Sequence, residues 1–309
     1  MTVHVPILAD EIVRWLLEPL KALPASAPEA WIVDCTLGGG GHTSRFLEAL
    51  GADPALARHR VLSIDQDPGA VERGRERFSA EIAAGRLEIL HSRFGEAADA
   101  VASRNVLGLM ADLGFSSDQI EDPARGLSFR AEGPLDMRLD PTRGESCLSW
   151  LRRVREEDLA KVLWELGEER FSRRIAARIV EARREGELPA TSKGLAELIE
   201  RAVPPPARHG RIHAATRSFQ ALRILVNDEL GELDSLLERV ATAVRPGGRV
   251  AILSFHSLED RKVKQAFRDR EGALRTLTKK PIEPSEEEQR SNPRSRSAKL
   301  RVAERSPQS

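Results

Sequence analysis

Residues 30 to 50, AWIVDCTLGGGGHTSRFLEAL, constrain this chain more than any other stretch. An apolar, β-branched run ends at Asp34, four glycines follow at Gly38 to Gly41, and the composition and apolar spacing of Ser44 to Leu50 predict a helix. Strand, glycine-rich turn and helix in that order leave backbone amides open at a helix N-terminus, where a nucleotide-type ligand can lie against them. The plainer alternative is a glycine-rich connection that binds nothing. A dinucleotide fingerprint, G-x-G-x-x-G, is not met. Started at Gly38 its last position falls on Thr43, and started at Gly39 it falls on Ser44. A nicotinamide-dependent oxidoreductase is therefore disfavoured.

Further along, RVLSID (60 to 65) reads as a second strand ending on Asp65, and Asp67-Pro68 as the N-cap and first turn of a helix running to about Phe78. LEILHSRF (87 to 94) and NVLGLMADLG (105 to 114) read as third and fourth strands, the latter carrying Asp112. Strands and helices alternating at this pace predict a parallel, doubly wound sheet, whose ligands bind beyond the carboxyl ends of the strands; Asp34, Asp65, Phe94 and Asp112 all fall there. Residues 4 to 23 predict an amphipathic helix through Ile12, Trp15, Leu16 and Leu20.

After Asp112 the strand signals stop. From about 120 to 220 four helical patterns alternate with loops rich in Gly and Pro, which predicts a helical insertion. FQALRILVNDELGELDSLLERVATAV then reads as one long helix, and RVAILSFH (249 to 256) as the strand that resumes the sheet. The stretch 281 to 298 is charged and disorder-prone, and AKLRVAER reads as a final edge strand. The expected division is residues 1–115 with 221–309 for the doubly wound domain and 116–220 for the insertion.

No apolar run approaches the roughly 18 to 20 residues of a membrane span, and the N-terminus lacks the pattern of a signal peptide, so a cytoplasmic protein is expected. Two cysteines, Cys35 and Cys147, exclude a disulfide framework, and no ligand cluster suggests a metal. The net charge is zero but unevenly spread. Residues 145 to 225 carry 16 Lys and Arg against 12 Asp and Glu, and residues 261 to 305 carry 14 against 7. Basic segments on a neutral chain suggest a polyanion met by part of the surface, although solvated helix faces would give the same counts.

Asp34 before the glycines and Asp65 at the end of the second strand resemble the S-adenosylmethionine site of class I methyltransferases. Six motifs narrow this: GGGGH at 38 to 42, DLGFSSDQ at 112 to 119, GPLDMRLDPTRG at 133 to 144, ATRSFQALRILVN at 215 to 227, SFHSLEDRKVK at 254 to 264 and NPRSRSAKLRVAER at 292 to 305. Together, and in order over nearly the whole chain, they resemble the bacterial ribosomal small-subunit methyltransferase H family. The resemblance implies a class I, Rossmann-like fold with an inserted helical domain, S-adenosylmethionine as methyl donor, and methylation of the exocyclic N4 of a cytosine in the decoding region of 16S rRNA. It also suggests a homodimer.

By that resemblance Gly40, Gly41 and His42 line the methionine end of the cofactor, Asp65 holds the ribose, Phe94 packs near the adenine, and Asp112 and Gln119 complete the pocket. DLGF at 112 to 115 occupies the place of the D-P-P-aromatic motif of amino-group methyltransferases, which makes Asp112, or the carbonyl of Leu113, a candidate acceptor for the amino hydrogens. On residue type alone Phe94 is as readily core, His42 structural and Asp112 a cap. Cys35 replaces a glycine usual in the family, and Phe115 a valine; the latter suits either base stacking or packing.

RNA bases are read when unstacked. Arg125, Arg130, Arg138 and Arg143 before the helical insertion, with Arg211, His213 and Arg217 near its end, are candidate phosphate contacts, weighed against ordinary surface residues. SFHSLEDR holds Ser, His, Glu and Asp, but strand alternation puts Ser254 and His256 on one face and Phe255 and Ser257 on the other, and no nucleophile elbow is present. A methyltransferase acting on DNA or a small molecule, and an RNA-binding protein without activity, are the remaining rivals.

Overall fold

The computed structural model describes residues 6–130, 132–208, 212–270 and 272–307. They form two compact units, Met1–Ser116 with Leu230–Ser309, and Ser117–Glu229.

The first unit is a seven-stranded sheet: β1 (Trp31–Asp34), β2 (Arg60–Asp65), β3 (Leu87–His91), β4 (Val106–Asp112), β5 (Arg249–Ser254), β6 (Leu274–Thr276) and β7 (Lys299–Arg305), in the order β3-β2-β1-β4-β5-β7-β6. The strands from β3 across to β5 pair in parallel, and β7 pairs antiparallel with both β5 and β6. This is the doubly wound, Rossmann-like sheet expected. The strand order reverses between β1 and β4, the place where such sheets leave a crevice for a ligand.

Both faces of the sheet are covered, so its strands read as continuous apolar runs rather than as alternation. Val33, Leu62, Leu109 and Ile252 pack on one side with Leu233, Leu236, Leu237 and Val240 of the helix Glu229–Ala243. Ile32, Val61, Met110 and Leu253 pack on the other with Ile12, Leu16 and Leu20 of the helix Ala9–Lys21 and Phe46 and Leu50 of the helix Gly41–Ala52. Cys35 is buried on the first of these faces. The helix Pro68–Arg77 starts as its sequence dictates: the Asp67 side chain accepts the N–H of Gly69 at 2.9 Å, and Pro68 supplies the fixed φ of the first turn.

The second unit is helical. Glu156–Gly167, Ser172–Arg184, Ser192–Ala202 and Thr216–Asn227 enclose a core that includes Leu159, Leu163, Ile175, Ile179, Leu195, Ile199, Phe219 and Leu222. Buried Asn227 ties the preceding loop to it, accepting the N–H of Leu139 and donating to the carbonyl of Met137, both at 2.8 Å.

Four expectations need revision. The long helix is two, Thr216–Asn227 and Glu229–Ala243, because Asp228 adopts a left-handed conformation at φ 51° and closes the first. That first helix packs on Glu156–Gly167, so the division falls between residues 229 and 230 instead of after residue 220. The segment 281 to 298 is ordered: Ser285 caps the helix Glu286–Ser291, accepting from Glu288 at 3.1 Å, and Ser295 is buried with its hydroxyl on the Asn292 carbonyl at 2.7 Å. Finally, β7 is an interior strand. The edge is β6, three residues long and carrying no pattern of its own.

Candidate active site

The carboxyl ends of β1, β2 and β4 bring three carboxylates together. Asp34 is fully buried. It accepts from the Thr43 hydroxyl at 2.8 Å and from the Thr36 N–H at 3.1 Å. With its proton given to Asp34, Thr43 takes a second bond from the Ser63 hydroxyl at 2.7 Å, which locks β1, β2 and the helix Gly41–Ala52 to one another. The Thr36 hydroxyl in turn receives the N–H of Asp112 at 2.7 Å, tying β4 into the same network. Burial pushes the Asp34 carboxyl up to about 6; His42 and the bonds from Thr43 and Thr36 oppose this, and the charge of Asp112 adds to it.

Asp65 takes one backbone N–H on each oxygen, from Gly38 at 2.7 Å and Asp67 at 2.8 Å, leaving each oxygen a lone pair for a further donor. Burial raises it too, to about 6, against those two bonds and with the charges of Asp67 and Asp34 contributing. Between these carboxylates runs the glycine turn. Gly40 has φ 76° and caps the helix Gly41–Ala52; a Cβ there would lie 2.6 Å from the Phe78 ring. Only glycine fits, by conformation and by space.

His42, in the first turn of that helix, is 5% exposed, and neither ring nitrogen makes a hydrogen bond to a described residue. Its Nε2 stands 3.5 Å from Asp112 Oδ2. Asp112 Oδ1 accepts the Gly114 N–H at 3.1 Å, and its side chain remains 19% exposed. Phe94 opens a short turn, Phe94–Glu96, at the end of β3 and is buried in the core face that holds Ile64 and Ala97. The turn is fixed by Glu232, which binds the Arg93 guanidinium at 2.7 Å and the Gly95 N–H at 3.1 Å.

Six of the expected cofactor residues, Gly40, Gly41, His42, Asp65, Phe94 and Asp112, thus belong to the first unit, around the ends of β1 to β4. Gln119 lies in the second, buried on the short helix Ser117–Glu121. Thr36, Thr43 and Ser63 carry the site's internal bonding and were not singled out from sequence; a hydroxyl two or nine residues from an aspartate gives no signal until the strands are paired.

Of the expected phosphate contacts, His213 and Arg217 are exposed in the second unit, and Arg211 lies outside the described residues. Arg138 is engaged within its own loop: its guanidinium is bound at both ends to Asp136, at 2.7 and 2.8 Å, and to the Pro141 carbonyl at 2.8 Å. It holds its own loop, and its donors are largely spent there. In SFHSLEDR, His256 caps the helix Ser257–Asp269, with Glu259 accepting the Phe255 N–H at 2.8 Å, which leaves a hydrolase triad without its members.

Among the described residues no Lys or Arg bonds to Asp34, Asp65 or Asp112. A crevice whose carboxylates bond to no Lys or Arg, with His42 alone beside Asp112, disfavours the pyrophosphate of a dinucleotide and suits a ligand that is cationic, with sugar hydroxyls to donate. S-adenosylmethionine has a sulfonium, an ammonium and a ribose, and the spare acceptors of Asp65, the orphaned nitrogens of His42 and the side-chain-free Gly40 fit it.

Relatives point the same way. The ribosomal RNA small subunit methyltransferase H of Synechococcus sp. (strain JA-2-3B'a(2-13)) is 48% identical, covering 99% of this chain and 92% of its own length. The protein of the same name from Sorangium cellulosum (strain So ce56) is 46% identical over 98% of this chain and 90% of its own. That of Synechococcus sp. (strain JA-3-3Ab) is 48% identical over 98% and 95%. The sequence pattern of the MraW methylase family matches residues 1–306, so that fold, acidic crevice and sequence agree: the chain belongs to the MraW methylase family.

Proposed function

We infer that this chain is an S-adenosylmethionine-dependent methyltransferase that methylates the exocyclic N4 of a cytosine in 16S rRNA. The observation that carries the cofactor is the pair of buried carboxylates Asp34 and Asp65, bonded to no Lys or Arg among the described residues, next to a turn that only glycine can make. The acceptor comes from the relatives, which are named for the small-subunit ribosomal RNA.

The bound cofactor supplies a methyl group on an electron-poor sulfonium. The chain's residues do the rest. Asp65 accepts the ribose hydroxyls, Gly40 with no side chain and the amides of Gly41 and His42 line the methionine end, and Phe94 packs near the adenine. A cytosine amino nitrogen is a poor nucleophile because its lone pair is delocalised into the ring. It has to be aligned and its hydrogens drawn toward an acceptor. Asp112 Oδ2 is that acceptor: Oδ1 is held by Gly114, so the carboxylate cannot swing away, and the partly exposed side chain is reachable from solvent. The proton lost from N4 passes to Oδ2. No covalent intermediate with the enzyme is required.

Tritiated methyl transfer to unmethylated 16S rRNA and to small subunits, with the product nucleoside identified by mass spectrometry, tests the reaction. Label in N4-methylcytosine is expected, and its absence on both substrates despite cofactor binding would refute the acceptor. A cytoplasmic location and a homodimer go with this function; sedimentation of the purified chain tests the dimer. No helix among the described residues is long and apolar enough to cross a membrane.

A further inference from the structure

The helical unit holds a cavity of about 240 Å³, lined in part by Glu169, Arg170, Phe171, Ile212, His213 and Arg217. Its volume equals about eight waters, enough for one flat ring system and too little for a folded strand. The walls are chemically sorted. Ile212 is 54% exposed, one of two large apolar side chains left in solvent among the described residues, and Phe171 is half-buried beside it with the Arg170 guanidinium 4.7 Å over its ring.

The polar members are held in place. The Arg217 guanidinium is anchored by one bond to the Glu168 carbonyl, at 3.2 Å, and otherwise faces solvent. His213 packs on Phe129, with ring centres 4.7 Å apart, and its Nδ1 accepts the Ala215 N–H at 3.1 Å, which leaves Nε2 to donate, 3.9 Å from the Glu200 carboxylate. Glu169 is 4% exposed; Oε1 accepts the Phe171 N–H at 2.9 Å, and no described cation pairs with it. A buried carboxylate with a spare oxygen, set between an apolar wall and two arginines, calls for an occupant with N–H donors on a flat apolar body and an anionic group alongside.

We propose that this cavity binds one unstacked nucleotide of the RNA, with the base against Phe171 and Ile212, a donor edge at Glu169, and the phosphate at Arg170 and Arg217. Guanine fits best, because its N1–H and N2–H sit side by side and a carboxylate accepts both. None of the six residues belongs to the acidic crevice, so this nucleotide is distinct from the one methylated, and the cavity selects sequence around the target. The assignment rests on the RNA methylation reading.

Fluorescence anisotropy with labelled single-stranded oligouridylate, with and without a single guanosine or inosine, tests it on the full chain. The guanosine is expected to tighten binding and inosine to lose most of the gain. Ile212→Ser, an exposed change that leaves the fold alone, is expected to weaken guanosine binding by roughly 4-fold for each methylene that the base covers. Glu169→Gln, which keeps the bond to Phe171, erases the preference for guanosine. Arg170→Ala and Arg217→Ala weaken every oligonucleotide alike and each lower the salt slope by about 0.7. Cofactor affinity, measured by calorimetry, stays unchanged in all four.

If only the arginine variants have an effect, the surface is a phosphate patch and the base pocket is wrong. If all four bind like the parent while methyl transfer to rRNA persists, the proposal falls and the methylation reading stands. A parent chain that neither binds nor methylates RNA overturns both.

Discussion

Replacing Gly40 by alanine tests whether the glycine turn is demanded by geometry. An alanine at φ 76° costs about 1–2 kcal/mol for the left-handed conformation. Its Cβ would meet Phe78 Cε2 at 2.6 Å and Cζ at 2.9 Å. Phe78 is 4% exposed and its N–H is bonded to the Gly74 carbonyl at 2.9 Å, so the ring cannot retreat freely, and overpacking of this kind adds about 1–3 kcal/mol. The sum, about 2–5 kcal/mol, is a large share of the 5–15 kcal/mol typical of a domain. Phe78→Leu removes the clashing ring, so the double variant recovers the overpacking part and retains the conformational one. Native-state hydrogen exchange of the β1 and β2 amides reads the first unit by itself, which matters because two units are free to open separately. A loss below about 0.5 kcal/mol in Gly40→Ala, or a coupling energy near zero with Phe78→Leu, would refute the steric account.

Three further outcomes are expected. Asp65 in the folded chain titrates near 6, above its ordinary 3.8, so its contribution to stability is present at low pH and lost as pH rises through about 6; the ionised form accepts ribose hydroxyls, so cofactor binding should weaken roughly tenfold from pH 7 to pH 5 by calorimetry, and Asp65→Asn should flatten that profile. Asp34 titrates in the same range, and Asp34→Asn separates its share; a flat profile in the parent chain would contradict the assignment. Asp112→Asn keeps the bond to Gly114 and removes the charge, so methyl transfer should fall about 100-fold or more with cofactor affinity nearly unchanged, whereas loss of affinity would move Asp112 to the cofactor. Asp260 binds the buried Arg301 guanidinium at 2.7 and 3.1 Å; Asp260→Ala strands that cation and should cost about 3–5 kcal/mol in hydrogen exchange of β7, and a loss under 1 kcal/mol would show the pair to be hydrated.

Much of the site is legible in the chain because it is local. Asp34, Asp65 and Asp112 each end an apolar run, and a parallel sheet brings such ends to one edge. Asp67-Pro68 announces its helix by chemistry that needs no tertiary partner. What stayed hidden depends on pairing. β6 is three residues, Leu274–Thr276, and exists only because β7 runs beside it. The interior place of β7 follows from partners on both sides, and an apolar strand near a chain end looks the same at an edge. The break at Asp228 turns on a single left-handed residue, a conformation aspartate tolerates but does not announce. Arg138 stands two residues from Asp136, close enough that their pairing was available to sequence reasoning before any role in RNA binding.

The interior position of β7 also sets an order of events during synthesis. The second unit, residues 117–229, is continuous and complete once its last helix has emerged, whereas the first is interrupted by it and lacks β5, β6 and β7 until residues 249–305 are made. The helical unit can therefore fold while the half-built sheet still presents β4 as an open edge. Chains halted between residues 115 and 298 keep β1, β2 and β4, and with them all three carboxylates of the crevice, yet leave β5, or β4 where β5 too is missing, without its partner. Such a truncated chain carries every chemical group of the crevice and none of the closure of its sheet, and proteases and chaperones meet it as an unfinished edge.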